Sequence, residues 1–354
     1  MAQAAAQLPF RAKRRGYKLT RDRITALLMV LPSIVAIAVF VYGFIAWTGY
    51  VPVSDWSGLQ QSYNIVGLQN YADVFELGRF QTNIRNLIVF TVMFLALCLS
   101  LGLLLALLVD SRVKAEPFFR SVYNFPMAIS FIVTGVAWRW VFSPGNYPSD
   151  PTGINLLMKQ VGLGALMGDW ITDNHVWPQF MGPDAPPYAV AFADWMQGLR
   201  DSGALEWMKT RLMVPLAIVP VVIAAVWQMS GFCMAMYLAG LRGISDEIKE
   251  AARVDGCNEA QVFRHVVFPL LRPITLSAVI ILGHISLKIF DLVVTMTGGA
   301  PGNNTEVPGL MMYEITFKAN KFAQGAAIAM VMLVLVALLI IPYLRNQRSQ
   351  EVEL

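Results

Sequence analysis

Charged side chains are scarce in this 354-residue chain: Asp, Glu, Lys and Arg together make up 14% of it. Soluble domains carry about 25%. A chain this poor in charge and 56% hydrophobic reads as a polytopic membrane protein. Cysteine is rarer still. Cys98 and Cys233 sit in apolar stretches and Cys257 in a polar one, so neither a disulfide framework nor a metal site is suggested. The three histidines form no paired-His metal motif. The chain also lacks a Gly-x-Ser-x-Gly turn and a Gly-rich phosphate loop followed by Lys-Ser/Thr, which excludes ATP binding in the usual manner. A membrane enzyme needs an acid/base pair near the interface, and Asp169 with His175 is the one weak candidate.

What is present is a set of long apolar runs. Six spans are expected, over residues 24–47, 84–109, 122–142, 212–236, 274–297 and 324–344. The first is too long for a signal-peptide core and is read as retained. Residues 1–23 carry Arg11, Lys13, Arg14, Arg15, Lys18, Arg21 and Arg23 directly before it, which fits a cytoplasmic positive-inside anchor better than a nucleic-acid arm. Asn83, Arg85 and Asn86 mark the outer end of the second span. Trp138 and Trp140 read as interfacial anchors of the third, with Arg139 snorkelling between them. Pro215 and Pro220 are expected to bend the fourth. Of 27 Lys and Arg, 17 fall in the four segments that this topology puts inside, with both termini cytoplasmic and residues 346–354 a short tail. Residues 143–210 form an extracytoplasmic insertion, in which Ile154, Leu157, Met158 and Val161 have the spacing of a short helix. Residues 298–322 read as a Gly/Pro/Asn-rich outer loop.

The long polar segment between two apolar runs on the basic side is the cytoplasmic loop 241–273. Ser245 is placed to cap a helix from about Asp246, and Gly256 to end it in the left-handed conformation. Asn258 with Gln261 reads as a capping box opening a second helix, limited by Pro269 and Pro273. Ala251 and Ala252 give the first helix a smooth patch. Ile248 and Val254 supply apolar anchors, and Glu250, Arg253 and Asp255 a charged rim.

The series Glu250-Ala251-Ala252, Asp255-Gly256, Gln261, Phe263, Val266 and Pro269 resembles the EAA loop of ABC importer permeases. Cys257 and Phe268 depart mildly from the family's usual Ala and Leu. From about Arg85 to Arg345 the chain is similar to the carbohydrate branch of these permeases, whose best-known member is the larger maltose-permease subunit. The segments AVWQMSGFCMAMYLAGLRGISDEIKEAARVDG and LGHISLKIFDLVVTMTGGAPGNNTEVPGLMMYE carry most of the likeness, which is strongest to the α-glucoside and glucosylglycerol subgroup. The extra N-terminal spans of the maltose relative are absent, and the first 80 residues and 143–210 are weakly covered.

The resemblance implies an all-α integral membrane fold of the type I ABC importer permease kind, in a bacterial cytoplasmic (inner) membrane. It implies a homologous second permease subunit, two ATP-binding subunits holding ATP and Mg, and an extracytoplasmic sugar-binding protein. It implies no cofactor and no enzymatic activity in this chain. The coupling residues that it assigns are Ile248, Glu250, Ala251, Ala252, Asp255 and Gly256.

Polar residues inside spans are costly and mark candidate substrate contacts. His284, Lys288 and Asp291 follow i, i+4, i+7 and share a helix face, with Ser286 nearby. Trp227, Gln228 and Ser230 form a second polar–aromatic cluster. A sugar asks for hydrogen-bonding groups beside an aromatic plate. The same residues can instead pin helices together, with Lys288–Asp291 a structural ion pair. An ion-coupled secondary transporter using Lys288, Asp291 and His284 as a relay is the alternative.

Overall fold

The computed structural model describes residues 21–111, 114–146, 149–163, 167–171, 176–177, 214–300 and 303–352. The basic residues up to position 20, together with Arg112, His175 and residues 178–210 of the insertion, lie outside the described residues. The chain divides into two compact units, Met1–Tyr50 and Val51–Leu354. The first holds α1 (Arg21–Ile37), a π turn (Ala38–Gly43) and α2 (Phe44–Tyr50).

In the second unit a short 3-10 turn (Val51–Val53) precedes α3 (Gln69–Glu76) and α4 (Gly78–Asp110). α4 buries Phe80, Asn83, Leu87, Phe90, Phe94, Cys98, Gly102, Ala106 and Val109. These recur every three or four residues and make one seam down the helix. The partner of that seam is α8 (Ile218–Gly243), the central helix. Its apolar window is 72% buried, against 28% for α4 and 11% for the last helix. Small residues bring the backbones together, as is usual between membrane helices. A Cβ on Gly102 would lie 2.3 Å from Cys233 Cβ, and one on Gly231 only 1.9 Å from the Tyr123 carbonyl oxygen. Cys98 and Cys233, 135 positions apart in sequence, meet at this seam as free thiols 3.5 Å apart.

Among the described residues four helices are long and apolar enough to cross a membrane, and the number is six if each of two bent pairs is one span. The third expected span is one such pair. α5 (Glu116–Asn124) and a 3-10 turn (Phe125–Ala128) meet α6 (Phe131–Val141) at 98°. Pro126 and the Ser130 cap, whose Oγ accepts from Val133 N–H at 3.4 Å, account for the break. A hairpin of β1 (Gly145–Asn146) and β2 (Asp150–Pro151) follows. The short helix expected in the insertion is α7 (Gly153–Val161). β3 (Val176–Trp177) pairs with β4 (Val214–Pro215) just before α8.

Other boundaries differ from expectation. α4 starts six residues early, so Asn83, Arg85 and Asn86 are buried in the fold instead of marking a wet helix end. The fourth span starts at Ile218, with Pro215 in β4 and Pro220 in the first helical turn. Proline is tolerated there, and α8 is unbroken. The polar elbow gives α9 (Asp246–Val254), α10 (Glu259–Val262), a π turn (Phe263–Val267) and α11 (Phe268–Leu270), which meets α12 (Arg272–Leu287) at 58°. The fifth span does not run through to 297. It breaks at Lys288–Phe290 and resumes as α13 (Asp291–Met296). The expected loop 298–322 contains a buried helix, α14 (Pro308–Tyr313), extended by a π turn to Lys318. Pro308 starts this helix instead of preventing one. The last helix, α15 (Phe322–Val352), absorbs the expected tail.

An ion cluster ties the early end of α4 to this segment. Arg79 donates to the buried Glu306 at 2.8 Å and also to Glu314, which takes a further bond from Lys318 at 3.0 Å. Burial acts to raise the Glu314 carboxyl, but hydrogen bonds from Lys318 and Arg79 outweigh it and leave the group below its ordinary value. Asn86 Nδ2 donates to the carbonyls of Asn303 and Glu306 at 3.0 and 2.8 Å.

Gly231→Ala should destabilise the protein by roughly 1–3 kcal/mol or more, because the added methyl meets backbone that cannot swing aside. Gly243→Ala, which meets nothing within 4 Å, is the control and should leave stability unchanged or slightly raised. Thermal unfolding of the detergent-purified protein compares the two.

Candidate functional site

The elbow between α8 and α12 is locally specified. Ser245 occupies the cap position of α9 in extended conformation, but its side chain makes no capping bond, contrary to expectation. Asp246 and Glu247 in the first turn and Arg253 in the last complement the helix dipole. The far end closes as the sequence indicates. Gly256 takes φ +90°, its N–H reaches the Arg253 carbonyl at 3.0 Å, and Cys257 N–H reaches Ala252 at 3.1 Å. The capping box is complete. Asn258 Oδ1 accepts from Gln261 N–H at 2.9 Å, and Gln261 Oε1 from Asn258 N–H at 2.8 Å. Arg253 spans the turn to Glu259 at 2.7 Å, which holds its guanidinium above the ordinary value.

Ala252 was expected on a smooth outer patch and instead faces inward. It packs with Tyr237, Leu238, Leu241 and Val262, fixing α9 to the end of α8. Glu250, Ala251, Asp255 and Gly256 are exposed, as is Ile248, and Val254 is 88% exposed. Beside them an open groove of about 800 Å³ runs between the end of α8 and the start of α12, lined by Met236, Ile244, Ile248, Leu270, Pro273 and Ile274. The elbow therefore presents a stiff apolar surface with a charged rim.

The polar clusters within the spans are arranged differently from each other. Gln228 is buried, and its Nε2 donates to the Ile129 carbonyl at 2.6 Å, at the break of the third span. Ser230 is buried beside it. Trp227 is 39% exposed and meets Trp138 edge-to-face, with centroids 5.8 Å apart. Gln228 thus has a structural duty, whereas Trp227 and Trp138 form an accessible aromatic pair.

In the fifth span the expected common face of His284, Lys288 and Asp291 does not exist, because the helix breaks between the second and third of them. Lys288 and Asp291 are exposed, and no ion pair joins them. The structural ion pair and the helical relay both lose their geometry. His284 is half-buried with an unpartnered Nδ1, and Ser286 is buried, accepting from Thr91 Oγ1 at 3.0 Å. Lys288 lies on a cavity of about 250 Å³ with Phe290, Met312, Tyr313 and Met332. None of Trp227, Gln228 and Ser230 lines it. Asp169 is exposed, and its expected partner His175 lies outside the described residues.

Trp138, Ile129, Phe290 and Tyr313 were not singled out in the sequence as site residues. The Pro126-to-Ser130 stretch was a readable sign of the first break, and Pro308 a readable helix start.

Residues 98–349 match the family model described as the binding-protein-dependent transport system inner membrane component. A probable ABC transporter permease of Pyrococcus horikoshii is 34% identical over 318 residues, covering 90% of this chain and 94% of the relative. A xylose/arabinose import permease of Haloferax volcanii is 29% identical, covering 89% and 86%. An osmoprotective-compounds uptake permease of Synechocystis is 31% identical, covering 82% and 88%. Among solved structures, a chain of a bacterial ABC transporter that imports alginate superposes with a TM-score of 0.66 at 16% identity, covering 93% of this chain and 96% of that one.

Gln228→Leu should cost about 1 kcal/mol of stability, because it takes the Gln228 donor from the part-buried Ile129 carbonyl. Lys288→Gln, at an exposed position without an ion pair, should leave the unfolding midpoint in place. An equal loss in both variants would contradict this division.

Proposed function

Because the chain belongs to the family of binding-protein-dependent transport system inner membrane components, we propose that it is a permease subunit of an ATP-driven importer for a sugar or related solute. In this reading it forms the translocation path with a second, homologous permease. Two ATP-binding subunits, carrying ATP and Mg, dock on the elbow, and an extracytoplasmic sugar-binding protein delivers the solute. The relative named for xylose and arabinose supports a sugar, and the one named for osmoprotective compounds a related solute. The observation that carries the proposal is the elbow. A short helix closed at its end by Gly256 and the Asn258–Gln261 capping box, buried on one side at Ala252 and exposed along Ile248, Glu250, Ala251 and Val254, stands between α8 and α12.

A helix fixed this way transmits force instead of absorbing it. Nucleotide-driven closure of the ATPase pair moves α9, and α8 and α12 follow because they flank the elbow directly. Partner and nucleotide shift the two-state equilibrium only through their differential affinity for the two states. Trp227 with Trp138, and Lys288 with Phe290 and Tyr313, are the proposed solute contacts, since each offers an aromatic plate at a helix break. The ion-coupled alternative requires His284, Lys288 and Asp291 to act as a relay, and the break in the fifth span separates them.

Copurification with an ATPase and a second permease tests the assembly. Uptake by the isolated chain under an ion gradient without ATP would overturn it. Gly256→Val forces a β-branched residue to φ +90°, at roughly 1–3 kcal/mol of local strain, in open space where nothing else clashes. The variant should insert and assemble normally yet lose stimulation of ATP hydrolysis by sugar-loaded binding protein. Full stimulation would count against the elbow as the transmitting joint.

A further inference from the structure

The stretch between the 3-10 turn at Val51–Val53 and α4 makes a preformed docking platform. Ser54 bridges Ile65 in antiparallel register, with Asp55 N–H to Asn64 O at 3.0 Å and Val66 N–H to Val53 O at 2.8 Å. Asn70 Nδ2 closes the base, donating to the Pro52 and Ser54 carbonyls at 2.9 and 2.8 Å. Trp56 stacks on Phe322 with centroids 4.9 Å apart, and backbone bonds to Asn320 and Ala323 fasten the loop to the start of α15. On this fixed frame Leu59 is 87% exposed, Ile65 73% and Leu68 70%, with Tyr63 and Phe75 also more than half exposed.

So many large apolar side chains held outward by an ordered loop mark an interaction surface, and the rigid frame removes much of the ordering cost of binding. Hydrocarbon does not fit, since Gln60, Gln61, Ser62, Asn64 and Gln69 are interleaved with the apolar residues. Charge then selects among the rest. Residues 51–77 hold Asp55, Asp73 and Glu76 and no Lys or Arg. Hydrogen bonds from Ser62 and then Asn64 keep Asp55 below the usual carboxylate range, so it stays ionised. A second copy of this chain would bring the same acids face to face, and an anionic bilayer would repel them.

We propose that this platform is the docking surface for a soluble protein with a Lys/Arg-rimmed apolar face, which in the importer reading is the extracytoplasmic solute-binding protein. The proposal rests on that reading, which puts this stretch outside. Apolar contact at Leu59, Ile65 and Leu68 supplies the affinity, and the acids supply steering and orientation.

The test uses the whole importer in lipid nanodiscs and its purified, sugar-loaded binding protein. The triple variant Leu59→Ser, Ile65→Ser, Leu68→Ser should weaken binding about tenfold or more while basal ATP hydrolysis stays unchanged. A photo-crosslinker at position 59 should capture the binding protein, with a yield that falls as salt rises. Unchanged affinity in the triple variant, or capture of the second permease or of phospholipid, overturns the proposal and leaves the importer reading intact. A wild-type complex that no loaded binding protein stimulates overturns both.

Discussion

A carbonyl inside a bilayer has no water to turn to, so every break in a membrane helix must be repaired by protein. Among the described residues two spans are broken, the third after Ala128 and the fifth after Leu287. At the first break Gln228, on the unbroken α8, supplies the missing donor to Ile129. Gly231 lies one turn further along α8 and lets the Tyr123 carbonyl come against its backbone. α8 is therefore both the centre of packing and the frame on which the irregular backbone is built. The halves that follow the two breaks pack on each other, with Gly135 of α6 close against Thr295 of α13. Two interruptions, each expensive in lipid, thus share one repaired region. Accessible aromatic and charged groups stand beside it, at Trp227 and Trp138 and at Lys288.

The elbow obeys the opposite logic. It is polar and largely exposed, and its shape is set within a dozen residues by Gly256, Asn258 and Gln261. Local hydrogen bonds of this kind hold whichever way the long helices tilt. In a buried cluster that Val262, Val267 and Leu271 of the elbow share with the end of α8, Ala252 relates α9 to the bundle. A side chain of this size lets α9 sit close, and the flanking Ile248 and Val254 remain free for another surface.

This contrast explains what could be read from the sequence. The elbow was legible because each of its signals acts within four residues: a left-handed Gly and a reciprocal Asn/Gln cap. The long runs were legible because hydropathy reports composition. Hydropathy did not show the breaks, since the run from Val122 to Phe142 is apolar on both sides of the 98° bend, and the local sign of the first was Pro126 with Ser130. Helical spacing placed His284, Lys288 and Asp291 on one face, and it failed because the helix ends at Leu287. Gly, Pro and Asn between 298 and 322 suggested a loop, yet Pro308 sits at the start of α14, where its missing N–H costs nothing. Asn83, Arg85 and Asn86 look like a wet helix end. They are buried because residues 303–314 fold back over α4, a long-range event that no local window contains. Ala252 and Ala251 are adjacent and alike in sequence. Only the tertiary fold separates the one that packs inward from the one left exposed.

The fifth span is tied to α4 on both sides of its break. The segment after α13 is held to α4 by Asn86 and by the Arg79–Glu306 pair, with Thr297 and Thr305 bonded to each other beside them, and α12 is held to α4 as well, through Thr91 and Ser286. Glu306 is buried, so parting it from Arg79 would strand a carboxylate away from water. That is far costlier than losing an exposed pair. Lys288, Ile289 and Phe290 are the residues between these two anchored parts, and their N–H groups bond to the carbonyls of Ile285, Ser286 and Lys288, two or three residues back, instead of four as in an α-helix. The side chains there, Lys288 and Phe290, line the cavity that they share with Tyr313. In the importer reading a displacement at the elbow would reach that cavity through α12, whose last residue, Leu287, also lines it.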